Sequence, residues 1–305
     1  MRVLVTGGAG YIGSTLVPLL LTRGLQVTVL DSLEHGADGL RCGSQTPGLR
    51  LVQGDVRDLD VLRQAAVGAE AILHLAAVSG YPACARYPEK ASQVNVQGTA
   101  NAVVAADGRL PVILASTLSC YGSVPAGFCD EDTLPRPVSH YGRTKLEAEA
   151  LVLASLRGIV LRLATVYGVS PRLRLVLLLN DFVHTLAQGQ ALEVYEPEAR
   201  RAFVHVRDAA NAFLFALDRA LYSSKRPGGR LYNVGDESQN LSKRQLVERI
   251  RRHFPGARVR YAATGRDEDR RDYAVSFARF RAEGFRTEIS LEQGIEELVR
   301  AFLGC

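Results

Sequence analysis

Val3-Leu-Val-Thr-Gly-Gly-Ala-Gly-Tyr-Ile-Gly13 opens the chain and decides how the rest is read. Val3 to Thr6 reads as a short buried strand. Gly7, Gly8 and Gly10 remove side chains where the backbone must turn sharply. Tyr11 and Ile12 lead into a helix that runs to Thr22, and Gly13 lets that helix press on the strand. The N–H groups at such a helix start point outward and favour an anion, and a pyrophosphate fits them. A second strand, Gln26 to Leu30, ends on Asp31. That acid lies about 20 residues past the glycines, where a carboxylate accepts from a ribose hydroxyl. Strand, G-x-G-x-x-G turn, apolar helix and acid together imply a dinucleotide site.

At 305 residues the chain has room for one large α/β domain, or one plus a smaller lobe. Its 47% hydrophobic and 23% charged residues are ordinary for a soluble globular protein. No apolar run reaches the roughly 18 residues that a membrane helix needs. The longest, Leu173 to Leu179, is short and interrupted by Arg174. Met1 leads straight into the first strand, which argues against a signal peptide. The five cysteines (Cys42, Cys84, Cys120, Cys129, Cys305) are odd in number and lack metal-ligand spacing. They predict reduced thiols in the cytoplasm and no metal. The net charge of +5 is scattered, without a polybasic tract, which argues against nucleic acid.

Strands and helices alternate through the first half: Leu49 to Gly54, a helix from Asp58 to Ala66, Glu70 to Leu75, a helix from Pro88 to Ala106, and Leu110 to Ala115. A helix from Tyr141 to Leu156 and a strand from Ile159 to Leu163 follow. This pattern predicts a Rossmann-type, doubly wound parallel sheet with helices on both faces. Ligands of such sheets lie beyond the carboxyl ends of the strands, where Asp31, Asp55, Ala76-Ala77 and Ser116-Thr117 collect. Beyond Tyr167 the alternation loosens. The expected division is a nucleotide-binding domain over 1–168 and a smaller C-terminal α/β substrate lobe over 169–305, with the chain crossing between them.

Tyr141-Gly-Arg-Thr-Lys145 sets a phenol and an ammonium on one face of a helix. A neighbouring Lys⁺ favours phenolate, so this spacing predicts a tyrosine that works as a base near neutral pH. Ser116 and Thr117, at a strand end, offer hydroxyls to a substrate oxygen.

In this order the pieces resemble the extended short-chain dehydrogenase/reductases of the nucleotide-sugar epimerase and dehydratase kind. The resemblance is carried by Thr6 to Gly13, Asp31, Gly54-Asp55-Val56, His74-Leu75-Ala76-Ala77, Asn95, Ser116-Thr117 with Tyr121-Gly122, Tyr141-x-x-x-Lys145, Arg162 and Val206-Arg-Asp208. It implies NAD as cofactor, with Asp55 and Val56 at the adenine, and Gly7, Gly10, Tyr11, Ile12, Gly13 and Asp31 along the dinucleotide. Leu75, Ala76, Ala77 and Asn95 would line the cofactor. Thr117 would bind the sugar oxygen being oxidised, Tyr141 would be the base, and Lys145 would hold the nicotinamide ribose and the phenolate.

Arg201 and Arg266 stand where relatives carry a diphosphate clamp, a role that suits the arginine fork. Asn180 is either a phosphate or sugar ligand or a helix cap. Sugar 4,6-dehydratases have an Asp-Glu pair after the active-site Thr. Here Leu118 and Ser119 occupy those positions, so dehydration by that route is disfavoured. Thr165 stands where epimerases often have an Asn, and Glu196 to Arg200 looks shorter than the base-binding loop of a typical hexose epimerase. The resemblance therefore implies an NAD-dependent epimerase of a nucleotide-diphosphate sugar, acting at C4 through a 4-keto intermediate as UDP-glucose 4-epimerases do. A homodimer through the helices at Pro88 to Ala106 and Tyr141 to Leu156 is the expected assembly. The competing readings are a keto-sugar reductase or dehydrogenase, and a non-catalytic NAD-binding sensor or scaffold.

Overall fold

Seven short strands, most of them rich in β-branched and aliphatic residues, pair into one all-parallel sheet. They are β1 (Arg2–Thr6), β2 (Gln26–Asp31), β3 (Leu49–Gln53), β4 (Ala71–His74), β5 (Val112–Thr117), β6 (Gly158–Leu163) and β7 (Arg230–Val234). The order across the sheet is β7-β6-β5-β4-β1-β2-β3. The computed structural model describes residues 1–40, 46–122, 124, 127–222, 229–262 and 272–304.

Because successive side chains point to opposite faces, each strand feeds two cores. On one face Val3, Val5, Leu73 and Ile159 pack with Leu16 and Leu20 of the helix Gly13–Thr22 and Phe213 of the helix Val206–Tyr222. On the other, Leu4, Ile72 and Leu114 meet Leu62, Ala102, Ala148 and Val152 from the helices Leu59–Ala65, Gly98–Ala106 and His140–Leu153. Both faces are covered, as an all-parallel sheet requires. The strand order reverses beside β1, so the ends of β1 and β4 flank the crevice where such folds take their ligands.

After residue 163 the chain builds a second lobe around Leu179, Phe182, Phe203, Leu246 and Ile295. Its sheets are small. Thr165–Tyr167, Arg200–His205 and Asn240–Ser242 form one, and Leu192–Tyr195 pairs with Val259–Ala262. The chain then returns to the large sheet, because the helix Val206–Tyr222 packs on the helix Gly13–Thr22 and β7 pairs with β6. A cut at residue 168 would therefore leave the large sheet without one edge strand.

The structure differs from the sequence reading in one long helix. Instead of running unbroken from Pro88 to Ala106, it forms Pro88–Ser92, a π-helical turn over Gln93–Gln97, and Gly98–Ala106. Asn95 sits in the wide turn, and Gly98 lets the following turn press on Val56, whose Cγ2 would lie 2.6 Å from a Cβ there. Among the described residues, no helix is long and apolar enough to cross a membrane, and no group of three or more His, Cys, Asp or Glu side chains could hold a metal ion.

Candidate active site

The turn after β1 is built by contacts that only glycine allows. Gly7 takes φ +71°, and a Cβ on it would stand 2.6 Å from the amide nitrogen of Ala76. A Cβ on Gly13 would lie 2.5 Å from the carbonyl of Gly7. The turn is thereby pressed between β2 and the segment after β4. Leu75 donates its N–H to the carbonyl of Thr6, and the Ala76 N–H reaches the Thr6 hydroxyl. Asp31, at the end of β2, accepts from the amides of Ala9 and Leu33, each at 2.9 Å. A carboxylate has about four acceptor positions, so capacity remains for ribose hydroxyls. Among the described residues, no acceptor pairs with the amides of Tyr11 and Ile12. A cradle of unpaired helix-start amides with a carboxylate at the next strand end fits a dinucleotide.

Further along the rim Asp55 is gripped by Arg57 through contacts of 2.7 to 3.0 Å, which hold its carboxyl below the usual range. Asp55, Arg57, Asp58, Gln93 and Gln97 line an open hollow there. Val56 lies buried behind it, its carbonyl bound by Asn101.

Behind the Ala76-Ala77 wall runs a buried hydrogen-bonded chain. The Thr6 hydroxyl meets Nδ1 of His74 at 2.7 Å, and His74 Nε2 meets the Thr99 hydroxyl at 3.1 Å. Thr99 donates to the carbonyl of Asn95. The Asn95 amide clasps both backbone groups of Val78 and donates to the Thr144 hydroxyl, which bonds the carbonyl of Tyr141. The nucleotide turn and the helix His140–Leu153 are thus parts of one network. Burial pushes His74 down to about 3, with the nearby Lys145 charge adding to it.

Thr117 ends β5, and its hydroxyl oxygen accepts from the amide of Ser119 while its proton goes to the Ser119 hydroxyl, both at 3.1 Å. Ser139 caps the next helix, and the helix brings Tyr141 and Lys145 against β5. The Tyr141 phenol lies within reach of Thr117, which lowers it slightly. The electrostatics differ from the sequence expectation. Burial pushes the phenol up, and the charge opposing this is that of Arg174, not that of Lys145. Burial brings the Lys145 ammonium down to about 8. Cys84 and Cys120 are both fully buried, and burial raises both thiols, Cys84 to about 11, so neither is an activated nucleophile.

Asn180 is fully buried inside the helix Leu178–Ala187, whose N-cap position is Leu177 with no side-chain cap, so Asn180 is not the cap. Its carboxamide accepts from the amide of Gly168 and donates to the Tyr11 hydroxyl and the carbonyl of Arg174. Tyr11 in turn donates to the carbonyl of Gly168 at 2.7 Å, which ties the nucleotide turn to the second lobe. Arg201 is buried on the strand Arg200–His205. Arg266 lies outside the described residues. Sequence reasoning missed Arg57, Ser79 and Arg174. The Arg57 signal was its place two residues after Asp55. The Arg174 signal was a charge set in an apolar run.

A model of the NAD dependent epimerase/dehydratase family matches residues 3–235. The low-salt glycan biosynthesis protein Agl12 of Haloferax volcanii is 32% identical, covering 100% of this chain and 99% of its own. A dTDP-glucose 4,6-dehydratase of Streptomyces niveus is 31% identical over 98% of this chain and 92% of its own. The structure of Thermus thermophilus UDP-glucose 4-epimerase in complex with NAD superposes with a TM-score of 0.82 at 28% identity, covering 100% of this chain and 99% of that one. The chain accordingly belongs to the NAD-dependent epimerase/dehydratase family of extended short-chain dehydrogenase/reductases, with NAD as its cofactor.

Proposed function

We propose that this enzyme epimerises a nucleotide-diphosphate sugar at C4 through a 4-keto intermediate. The observation that carries the reading is the packing of the helix that bears Tyr141 against β5, which ends at Thr117, with the positions after Thr117 filled by Leu118 and Ser119. A hydroxyl to orient a sugar oxygen and a phenol to move its proton are present. The Asp-Glu pair that would release water is not.

Thr117 orients the C4 oxygen. Tyr141 takes its proton and later returns it. Lys145 supplies positive charge behind the site, held by the helix that carries both residues. The chemistry that bound NAD supplies is reversible hydride exchange with the sugar carbon. Between the two transfers the 4-keto sugar turns its other face to the same groups. Arg201 and Arg266 serve the diphosphate in this reading, and Asn180 orders the loop beside it. The assembly is a homodimer in which the helices Gly98–Ala106 and His140–Leu153 meet their partners; Val104 stands exposed on the first of them.

The test is to strip the purified protein of free nucleotide and incubate it with UDP-sugars without added cofactor. Interconversion of two C4 epimers, with no lasting change in the nicotinamide absorbance, is the expected result. Accumulation of a reduced, oxidised or dehydrated sugar would overturn the reading.

A further inference from the structure

Arg174 reaches from the second lobe across the mouth of the site to Ser79, on the segment that follows the Ala76-Ala77 wall. One guanidinium nitrogen donates to the Ser79 hydroxyl at 2.5 Å and the other to its carbonyl at 3.3 Å. Both ends of this bridge are fixed. The Arg174 carbonyl is held by Asn180 at 3.0 Å. Ser79 follows Val78, whose backbone is clasped by Asn95, and Asn95 is linked through Thr144 to the carbonyl of Tyr141. The guanidinium therefore stands at a defined place beside the Tyr141 helix, within electrostatic reach of the phenol.

Arg174 differs from Arg57, Arg162 and Arg200, each of which has an acid partner: Asp55, Glu149 and Asp272 respectively. Among the described residues, no carboxylate lies in ion-pair contact with Arg174, although burial is the largest influence on it. A partly desolvated cation with only neutral acceptors is costly unless an anion completes it. The Ser79 hydroxyl accepts from Arg174, so its own proton is free to donate to the same anion.

The position of that anion on the substrate follows from sugar geometry. The diphosphate hangs from C1, across the ring from the C4 oxygen that Tyr141 deprotonates. Of the two ring carbons beside C4, C3 carries a neutral hydroxyl and C5 carries the C6 group, which is the one that can be oxidised to a carboxylate. Resting on the C4 assignment above, we infer that Arg174 and Ser79 form a carboxylate subsite, and that the enzyme selects a nucleotide-diphosphate uronate, oxidised to the acid at C6, over the neutral hexose.

The test is calorimetric binding of UDP-glucuronate, UDP-glucose and UDP to the NAD-loaded protein, for wild type, Arg174→Gln and Ser79→Ala. Wild type should prefer the uronate by about tenfold or more, the scale of one charge-assisted contact. Arg174→Gln should bring that ratio towards one, and Ser79→Ala should lower it in part, while affinity for UDP stays within about twofold. An indifferent wild type overturns the inference. So does an Arg174→Gln variant that loses UDP as strongly as it loses the uronate, which would assign the arginine to the diphosphate. The wild-type comparison decides even if a variant fails to fold. A uronate preference in an enzyme that forms no epimer would sink the epimerase reading and leave the subsite standing; epimer formation without the preference would do the reverse.

Discussion

The carboxylate of Glu149, on the helix that carries Tyr141, closes on the guanidinium of Arg162, on β6, through contacts of 2.6 to 3.2 Å, with both side chains almost sealed from solvent. Ser116 of β5 donates to the same carboxylate, and the guanidinium lies 4.6 Å from the centre of the Tyr121 ring. The pair pins the helix to the strand that ends in Thr117. Glu149→Gln should leave a buried charge uncompensated and cost about 3–5 kcal/mol of unfolding free energy. Adding Arg162→Met should recover much of it, because the pair as a whole contributes far less than the cost of breaking it. Denaturant titration of the three proteins measures this, and an unchanged midpoint for Glu149→Gln would refute it.

Tyr141→Phe should retain NAD affinity and lose roughly 10²–10⁴-fold in kcat, the usual share of a general acid–base group. The phenol lies near Thr117 and Arg174, so its removal leaves the turn after β1 intact. Steady-state kinetics beside an NAD titration separates the two effects. A variant within a few-fold of wild type would remove Tyr141 from the chemistry.

Asp31 should set cofactor choice. Two backbone amides hold its carboxylate at the end of β2, so it cannot easily swing away from a 2′-phosphate. Preference for NAD over NADP of at least about tenfold is expected, equivalent to roughly 1.4 kcal/mol. Equal dissociation constants in a fluorescence titration would count against it.

His74 should make the fold sensitive to acid. Its folded value of about 3 lies below the ordinary 6.5, so the unfolded chain takes up a proton first as the pH falls. Its contribution to stability is complete above about pH 6.5 and is lost towards pH 3, by about 1.4 kcal/mol per pH unit. Between pH 6.5 and 4 the wild type should lose unfolding free energy more steeply than His74→Gln, by about that slope. Parallel pH dependences for the two proteins would show that His74 does not titrate between the folded and unfolded states.

The first half of the fold was legible because its signals are local. Val3 to Thr6 and Gln26 to Leu30 are apolar runs bounded by glycine or acid, and the turn between them needs no distant partner to be recognised. β7 was not legible. Arg230-Leu-Tyr-Asn-Val234 has a charge and an amide in it, and the Asn233 carboxamide is satisfied from afar, accepting from the Tyr121 hydroxyl and donating to the carbonyl of Ser276. The strands Thr165–Tyr167, Asn240–Ser242 and Ala274–Val275 are too short to show any period. Within the site, the Tyr141 to Lys145 spacing was readable because both lie on one helix. The opposition of Arg174 to Ser79 was not, since it joins two loops from different lobes. An arginine in an apolar run with no acid three or four residues away was the trace it left.

The return of β7 to the large sheet has a bearing on how the protein is made. β6 ends at Leu163, and the strand that covers its open edge ends at Val234. While a ribosome delivers the residues between them, that edge offers a row of unpaired backbone groups to any neighbouring chain. The strands Thr165–Tyr167, Leu192–Tyr195 and Arg200–His205 all emerge in that interval. The second lobe is thus under construction before the first can close, and the large sheet cannot be completed by translation of the first six strands alone.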